Sequence, residues 1–126
     1  MPPARALSVA GLRGGSRGAV TAELAVAIPA VVLLFGVILT AVAAGVAQVR
    51  AEEAARAAAR ELARGEPPNV VAATVQRMAG AGARPEVKAD GETVSVTIRV
   101  AVSGPFAAAV GLVAEASAAL PAEPPP

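Results

Sequence analysis

Residues 24–49, LAVAIPAVVLLFGVILTAVAAGVAQV, contain no ionisable side chain. As a helix rising about 1.5 Å per residue, this run reaches roughly 39 Å, more than the ~30 Å hydrocarbon core of a bilayer. One acid, Glu23, stands directly before it, and Gly18 with Arg17 behind it lies a short way further upstream. Three readings compete: a permanent transmembrane anchor, a secretory signal cut behind the apolar run, and a signal cut ahead of it.

The basic residues Arg5, Arg13 and Arg17 are the only charges before Glu23. Basic residues next to an apolar span hold that end in the cytoplasm, so the expected orientation is N-terminus in and C-terminus out. Residues 1–18 read as a basic leader without stable structure, interrupted by Gly11 and Gly14-Gly15. Within the span, Pro29 would cost a soluble helix about 3 kcal/mol or more but is tolerated in a membrane as a kink. Gly36 and Gly45 reduce bulk where another helix could approach, so Pro29, Gly36 and Gly45 are the expected transmembrane packing positions.

Beyond Val49 the helix is expected to continue, because RAEEAARAAARELAR at 50–64 holds strong helix formers and neither glycine nor proline. Glu52–Arg56 is an i,i+4 pair in the favourable order, and Glu53–Arg56 and Glu61–Arg64 are i,i+3 pairs. Arg56, Arg60 and Arg64 share one face, and Ala51, Ala55, Ala58 and Leu62 share another. Gly65 and Pro67-Pro68 should end the helix, placing a membrane and extended helix at 19–65.

Asn69 is the expected cap of a short second helix over 70–79, with Val71, Val75 and Met78 on its apolar face. Val94, Val96, Ile98, Val100 and Val102 then alternate with Thr93, Ser95, Thr97, Arg99 and Ala101, the period of a strand with one buried face. Asp90-Gly91 reads as the turn of a hairpin whose other strand is 85–89, with Val87 and Ala89 inward. Gly104-Pro105 should break the second strand, 106–111 form a helical turn, and 112–120 a third strand. Residues 122–126 read as a disordered proline-rich tail. The expected class is therefore α+β: a long N-terminal transmembrane helix running into an amphipathic one, then a small extracytoplasmic domain at 66–121. That domain has few large side chains and is marginal alone, so it should lean on the alanine face of the long helix or on neighbouring subunits.

With no histidine and no cysteine there is no catalytic constellation, no disulfide framework and no thiolate metal site. The serines lack a histidine base, and the glycines at 11, 14, 15 and 18 form no phosphate loop. Net charge is +1 and aromatic residues are almost absent, so no nucleic-acid surface is visible. Nothing implies an enzyme, a cofactor or a small-molecule substrate.

Glu23 is the informative residue. A carboxylate at the bilayer centre costs about 2.5–3.5 kcal/mol, less near the interface, and favours a positive partner. A cut after Gly18 would create one, the new amine of Ala19, with Glu23 as the fifth residue. In a stack of such helices, the amine of one subunit pairing with Glu23 of its neighbour would set register in low dielectric. The run Arg17-Gly18-Ala19-Val20-Thr21-Ala22-Glu23 followed by the apolar span resembles a type IV prepilin signal. VTAELAVAIPAVVLL with QVRAEEAARAAARELARGE resembles more specifically the TadE-like minor pilins, or pseudopilins, of tight-adherence (Flp) pili. The resemblance is good over 17–66 and weaker in VSVTIRVAVSGPF and EASAALPAEP. It implies cleavage after Gly18 by a membrane prepilin peptidase, methylation of the new N-terminus, and partners among other pilins and pilus assembly proteins. Removing 1–18 takes three arginines and shifts the formal side-chain charge from +1 to about −2. The added domain suits a minor or initiating subunit better than the bulk filament. Two alternatives stand beside this: a small secreted protein cut at Ala41-Val42-Ala43, and an uncut single-pass anchor binding an envelope partner.

Overall fold

A computed structural model of the protein describes residues 11–122; the expectations for residues 1–10 and for the last four residues lie outside it. The elements are α1 (Gly11–Ala63), α2 (Pro68–Ala79), β1 (Arg84–Asp90), β2 (Thr93–Ala101), α3 (Ala107–Val110) and β3 (Val113–Pro121). The chain is α+β, with one long N-terminal helix that is apolar over much of its length, a small helix and a three-stranded antiparallel sheet ordered β1-β2-β3.

α1 is helical from Gly11, eight residues ahead of the helix expected at 19–65. Residues 11–18 are helical where a structureless leader was expected. Extending a formed helix fixes one residue per added hydrogen bond, whereas nucleating one fixes several, so glycines next to a strong helix can be recruited into it. Pro29 lies inside α1 without ending it.

The end of α1 is set by Gly65, which takes φ +81°. The Gly65 N–H donates to the Leu62 carbonyl at 3.0 Å and the Glu66 N–H to the Glu61 carbonyl at 3.0 Å, the paired bonds of a Schellman motif. α2 then starts one residue earlier than its expected cap. Pro67 is the N-cap residue and Pro68 occupies the first turn, where its missing N–H costs nothing, so Asn69 lies within the helix and does not cap it. Val71 and Val75 are buried as expected, but Met78 is exposed and Thr74 and Ala79 take the inner positions.

The hairpin loop is Gly91-Glu92, because Asp90 still pairs with Thr93. Asp90-Gly91 is therefore one residue out of phase as a turn. Gly91 has φ +56° and the Glu92 N–H bonds back to the Asp90 carbonyl, a γ-type turn. β2 is the central strand. Its inner residues Val96 and Ile98 are fully buried, with Val87 and Pro85 beside them on β1 and Ala118 and Ala116 on β3. β1 contributes less to the core than expected, since Val87 is 46% exposed. It is an edge strand, and its outer positions Arg84, Glu86, Lys88 and Asp90 are charged, which discourages pairing with another chain. The other edge, β3, is met by α1: Gln48 Nε2 donates to the Glu115 carbonyl at 2.9 Å. The Ala122 N–H bonds to the Glu92 carbonyl at 2.8 Å, so Ala122 is held beside the hairpin.

The core of the unit that begins at Gly36 is built on small side chains. Ala51, Ala54, Ala55, Ala58 and Ala59 of α1 are all 0% exposed and lie under Val71 and Val75 of α2 and Val96 and Ile98 of β2. Alanine serves twice here. It is the best helix former, and its single methyl lets the sheet approach the helix closely. Arg56, Arg60 and Arg64 are exposed on the opposite side, and Arg56 reaches Glu52 at 3.9 Å. Glu61 does not serve Arg64. It accepts a hydrogen bond from Thr74 Oγ1 at 2.9 Å and so ties α1 to α2, while Arg77 Nη2 donates to the same hydroxyl at 3.1 Å.

Candidate functional site

The residues singled out from the sequence lie along α1. Gly18 is exposed, with open space around the position of a Cβ, and Ala19 is exposed beside it. Thr21 Oγ1 donates to the Arg17 carbonyl at 2.9 Å, satisfying its hydroxyl within the helix. Glu23 is exposed and has no ion-pair partner among the described residues. α1 displays its large apolar side chains outward: Val26 is 73% exposed, Phe35 63% and Leu34 59%. Those values are the reverse of a water-soluble helix, which turns such residues inward. By length and composition, α1 is long and apolar enough to cross a membrane.

The glycines of the span have different surroundings. Gly45 faces open space. Gly36, expected to admit another helix, is buried by a residue of its own chain: a Cβ there would overlap the ring of Phe106. One helical turn further on, Gly104 lies against Thr40. A Cβ on Gly104 would come within 3.1 Å of Thr40 Oγ1, and its φ of +147° already disfavours other residues. Thr40 is buried, and its Oγ1 donates to the Gly36 carbonyl at 2.8 Å, so the contact leaves no unpaired hydroxyl.

Two glycines from distant parts of the chain thus seat the 103–106 loop on α1. The sequence reading missed this, taking Gly104-Pro105 as a strand breaker alone. The available signal was a Gly-Pro-Phe run in a segment without charge, which does not name its partner. Above the loop, Val102, Ala107 and Ala114 form a second small core on Ala43, Ala44 and Ala47 of α1.

The outer face of the sheet is polar. Arg99 Nε donates to Glu115 Oε2 at 2.9 Å, and that hydrogen bond, with the charges of Glu115 and Glu86, raises the arginine further above its ordinary range. Thr97 and Ser117 share a hydrogen bond of 2.6 Å across β2 and β3. These contacts satisfy a solvated face; Arg99 and Glu86 border one open surface groove, and Glu115 and Ser117 border another. The groove lined by Ala43, Val46, Ala47, Gly80 and Ala101 has Arg50 as its one ionisable side chain.

No protein-family model matches the chain, and comparison with curated proteins and with solved structures returned no match. What fold and surface define is an α+β protein carrying one exposed apolar helix, near its N-terminus, of membrane-spanning length.

Proposed function

We propose that this chain is a bitopic, N-in/C-out assembly subunit of a type IV pilus system, a minor pilin or pseudopilin of the tight-adherence kind. It is processed after Gly18 and works by packing against other subunits. The observation that carries the reading is the outward display of large apolar side chains over 24–39, directly behind an exposed and unpaired Glu23. A helix like this needs a lipid or protein environment. The acid at its head needs a cation, which the amine of Ala19 in a neighbouring copy would supply. The membrane anchors the chain, and other pilins, pilus assembly proteins and a prepilin peptidase are its partners.

The secretory alternative fits less well. A cut after Ala43 would remove Gly36 and Thr40, on which Phe106 and Gly104 rest, and would sever α1 beside Ala44 and Ala47. The test is the intact mass and N-terminal sequence of the protein from its native membrane. A start at Ala19, with or without a methyl group, is the expected result. A start at Met1 overturns processing and leaves an uncut anchor, and a start near Ala44 overturns the membrane reading as well. Glu23→Ala should insert normally yet fail to enter assemblies, read by co-purification with pilus components; normal incorporation would remove the register role.

A further inference from the structure

The loop seated on Gly36 and Thr40 lies far from the charged part of the helix that carries it. Arg50 is the first charged residue of α1 beyond the apolar run, and Gly36 precedes it by fourteen residues, roughly 21 Å along the axis. Crossing a ~30 Å hydrocarbon core takes about 20 helical residues. Residues 24–35 number twelve, roughly 18 Å, which is too short. Even a count from Gly18 gives roughly 27 Å and draws the Glu23 carboxylate into hydrocarbon. The apolar layer must therefore extend past Gly36. Measured from Leu24, about twenty residues end at Ala43. The Gly36 and Thr40 contacts then lie about 5–10 Å inside the outer boundary, the depth at which interfacial segments bury their apolar faces.

The segment that makes those contacts is built for that depth. Residues 100–114 carry no charge, with Arg99 and Glu115 marking the two ends. Val110 is 73% exposed and Leu112 36%, although both are large and apolar; Val113 borders a groove with Arg84, Glu86 and Arg99 and marks the polar edge of the segment. Several backbone groups are paired within the segment. The Val102 N–H bonds to the Leu112 carbonyl at 3.0 Å, the Leu112 N–H to Ala107 at 2.9 Å and the Val110 N–H to Phe106 at 3.3 Å. Pro105 has no N–H to satisfy. Gly111, at φ +63°, closes α3 so that Leu112 and Val113 follow directly.

We propose that the 103–112 segment is a second membrane contact, a wedge in the outer leaflet whose Val110 and Leu112 meet lipid acyl chains beside α1. The proposal rests on reading α1 as membrane-spanning. The wedge fixes the height and rotation of the sheet relative to the bilayer, which a single helix alone leaves free.

The chain has no cysteine, so single-cysteine variants can be labelled without background. Full-length Val110→Cys, Leu33→Cys and Lys88→Cys, each carrying an NBD fluorophore, would be reconstituted in phosphatidylcholine/phosphatidylglycerol vesicles. Quenching by aqueous iodide would be compared with quenching by nitroxide lipids. Position 110 should be several-fold less accessible to iodide than position 88 and be quenched by shallow nitroxides, with position 33 quenched by deep ones. If 33 is in lipid while 110 quenches like 88, the wedge is overturned and the span stands. If 33 is itself open to iodide, the span falls and the wedge with it. Protection of 110 in native membranes but not in lipid vesicles would assign the surface to a protein partner and overturn the lipid assignment.

Discussion

Two stretches of α1 use apolar residues in opposite ways. Over 24–39 the large side chains point outward, with Val26, Ile28, Val32 and Phe35 each more than half exposed. Over 51–59 they are methyl groups, and Ala51, Ala54, Ala55, Ala58 and Ala59 are completely covered. Size has been separated from burial. On the proposed reading of 24–39 as a membrane span, lipid would accept any apolar shape, so bulk there would supply transfer energy without a demand for fit. The sheet and α2 demand close approach, and alanine grants it. The stability of the folded unit then rests on the few large residues that are truly enclosed, Ile98, Val71, Val75 and Val96.

The sharpest break of that contrast compares one large residue from each setting. Ile98→Ala should cost about 2–5 kcal/mol in denaturant unfolding of the detergent-solubilised protein. Leu33→Ala, which removes as large a side chain, should leave that transition unmoved. Equal losses would mean that the span is packed against the folded unit. Next in size, Leu33→Arg should cost about 3 kcal/mol of membrane insertion, read as the fraction resisting carbonate extraction, without unfolding the sheet. An unchanged membrane fraction would end the lipid-facing assignment.

The glycines give a comparison of opposite sign. In a helix, glycine to alanine ordinarily gains about 1 kcal/mol. Gly45→Ala has open space and should show that gain. Gly36→Ala places a methyl in the ring of Phe106 and should lose about 1–3 kcal/mol instead, with Phe106→Leu restoring part of it. Two gains would show that the Phe106 ring moves aside at no cost.

What was legible in the sequence was local. The alternation of Val94, Val96, Ile98 and Val100 specified β2 and its inner face, and Gly65 marked the end of α1 by its backbone freedom alone. The alanine face was visible at Ala51, Ala55 and Ala58 because helical period is a property of one segment. The same logic failed where a rule applied to the wrong neighbour. Asn69 is a good cap, but Pro67-Pro68 already fixed the extended-to-helical transition two residues sooner. Val87 alternates correctly, yet an edge strand is covered only in part. The seating of Phe106 on Gly36 and of Gly104 on Thr40 was not legible, since each pair is separated by more than half the chain and neither residue type specifies the other. For Gly18, Ala19 and Glu23 the situation is reversed: their proposed roles come from local pattern, and among the described residues Glu23 has no ion-pair partner and Gly18 has open space around it.

The smallest expected effect concerns the point at which the alanine face stops. Gly65 has φ +81° and nothing near its missing Cβ, so any cost of Gly65→Ala is conformational and not steric. An L-residue in the left-handed region costs about 1–2 kcal/mol, offset in part by about 0.4–1 kcal/mol from the stiffer unfolded chain. Gly82 is the matched control, equally open but without a positive φ, so Gly82→Ala should be neutral or slightly stabilising. The difference between the two, about 1–2 kcal/mol because the unfolded-chain gain is common to both, isolates the Schellman turn in thermal melts of otherwise identical proteins. If Gly65→Ala melts like Gly82→Ala, the turn is imposed from outside by Pro67-Pro68 and the tie from Glu61 to Thr74. If it melts lower, the backbone of one glycine is what returns α2 over the alanines, and the covered stretch of α1 at 51–59 owes its partner to that stop.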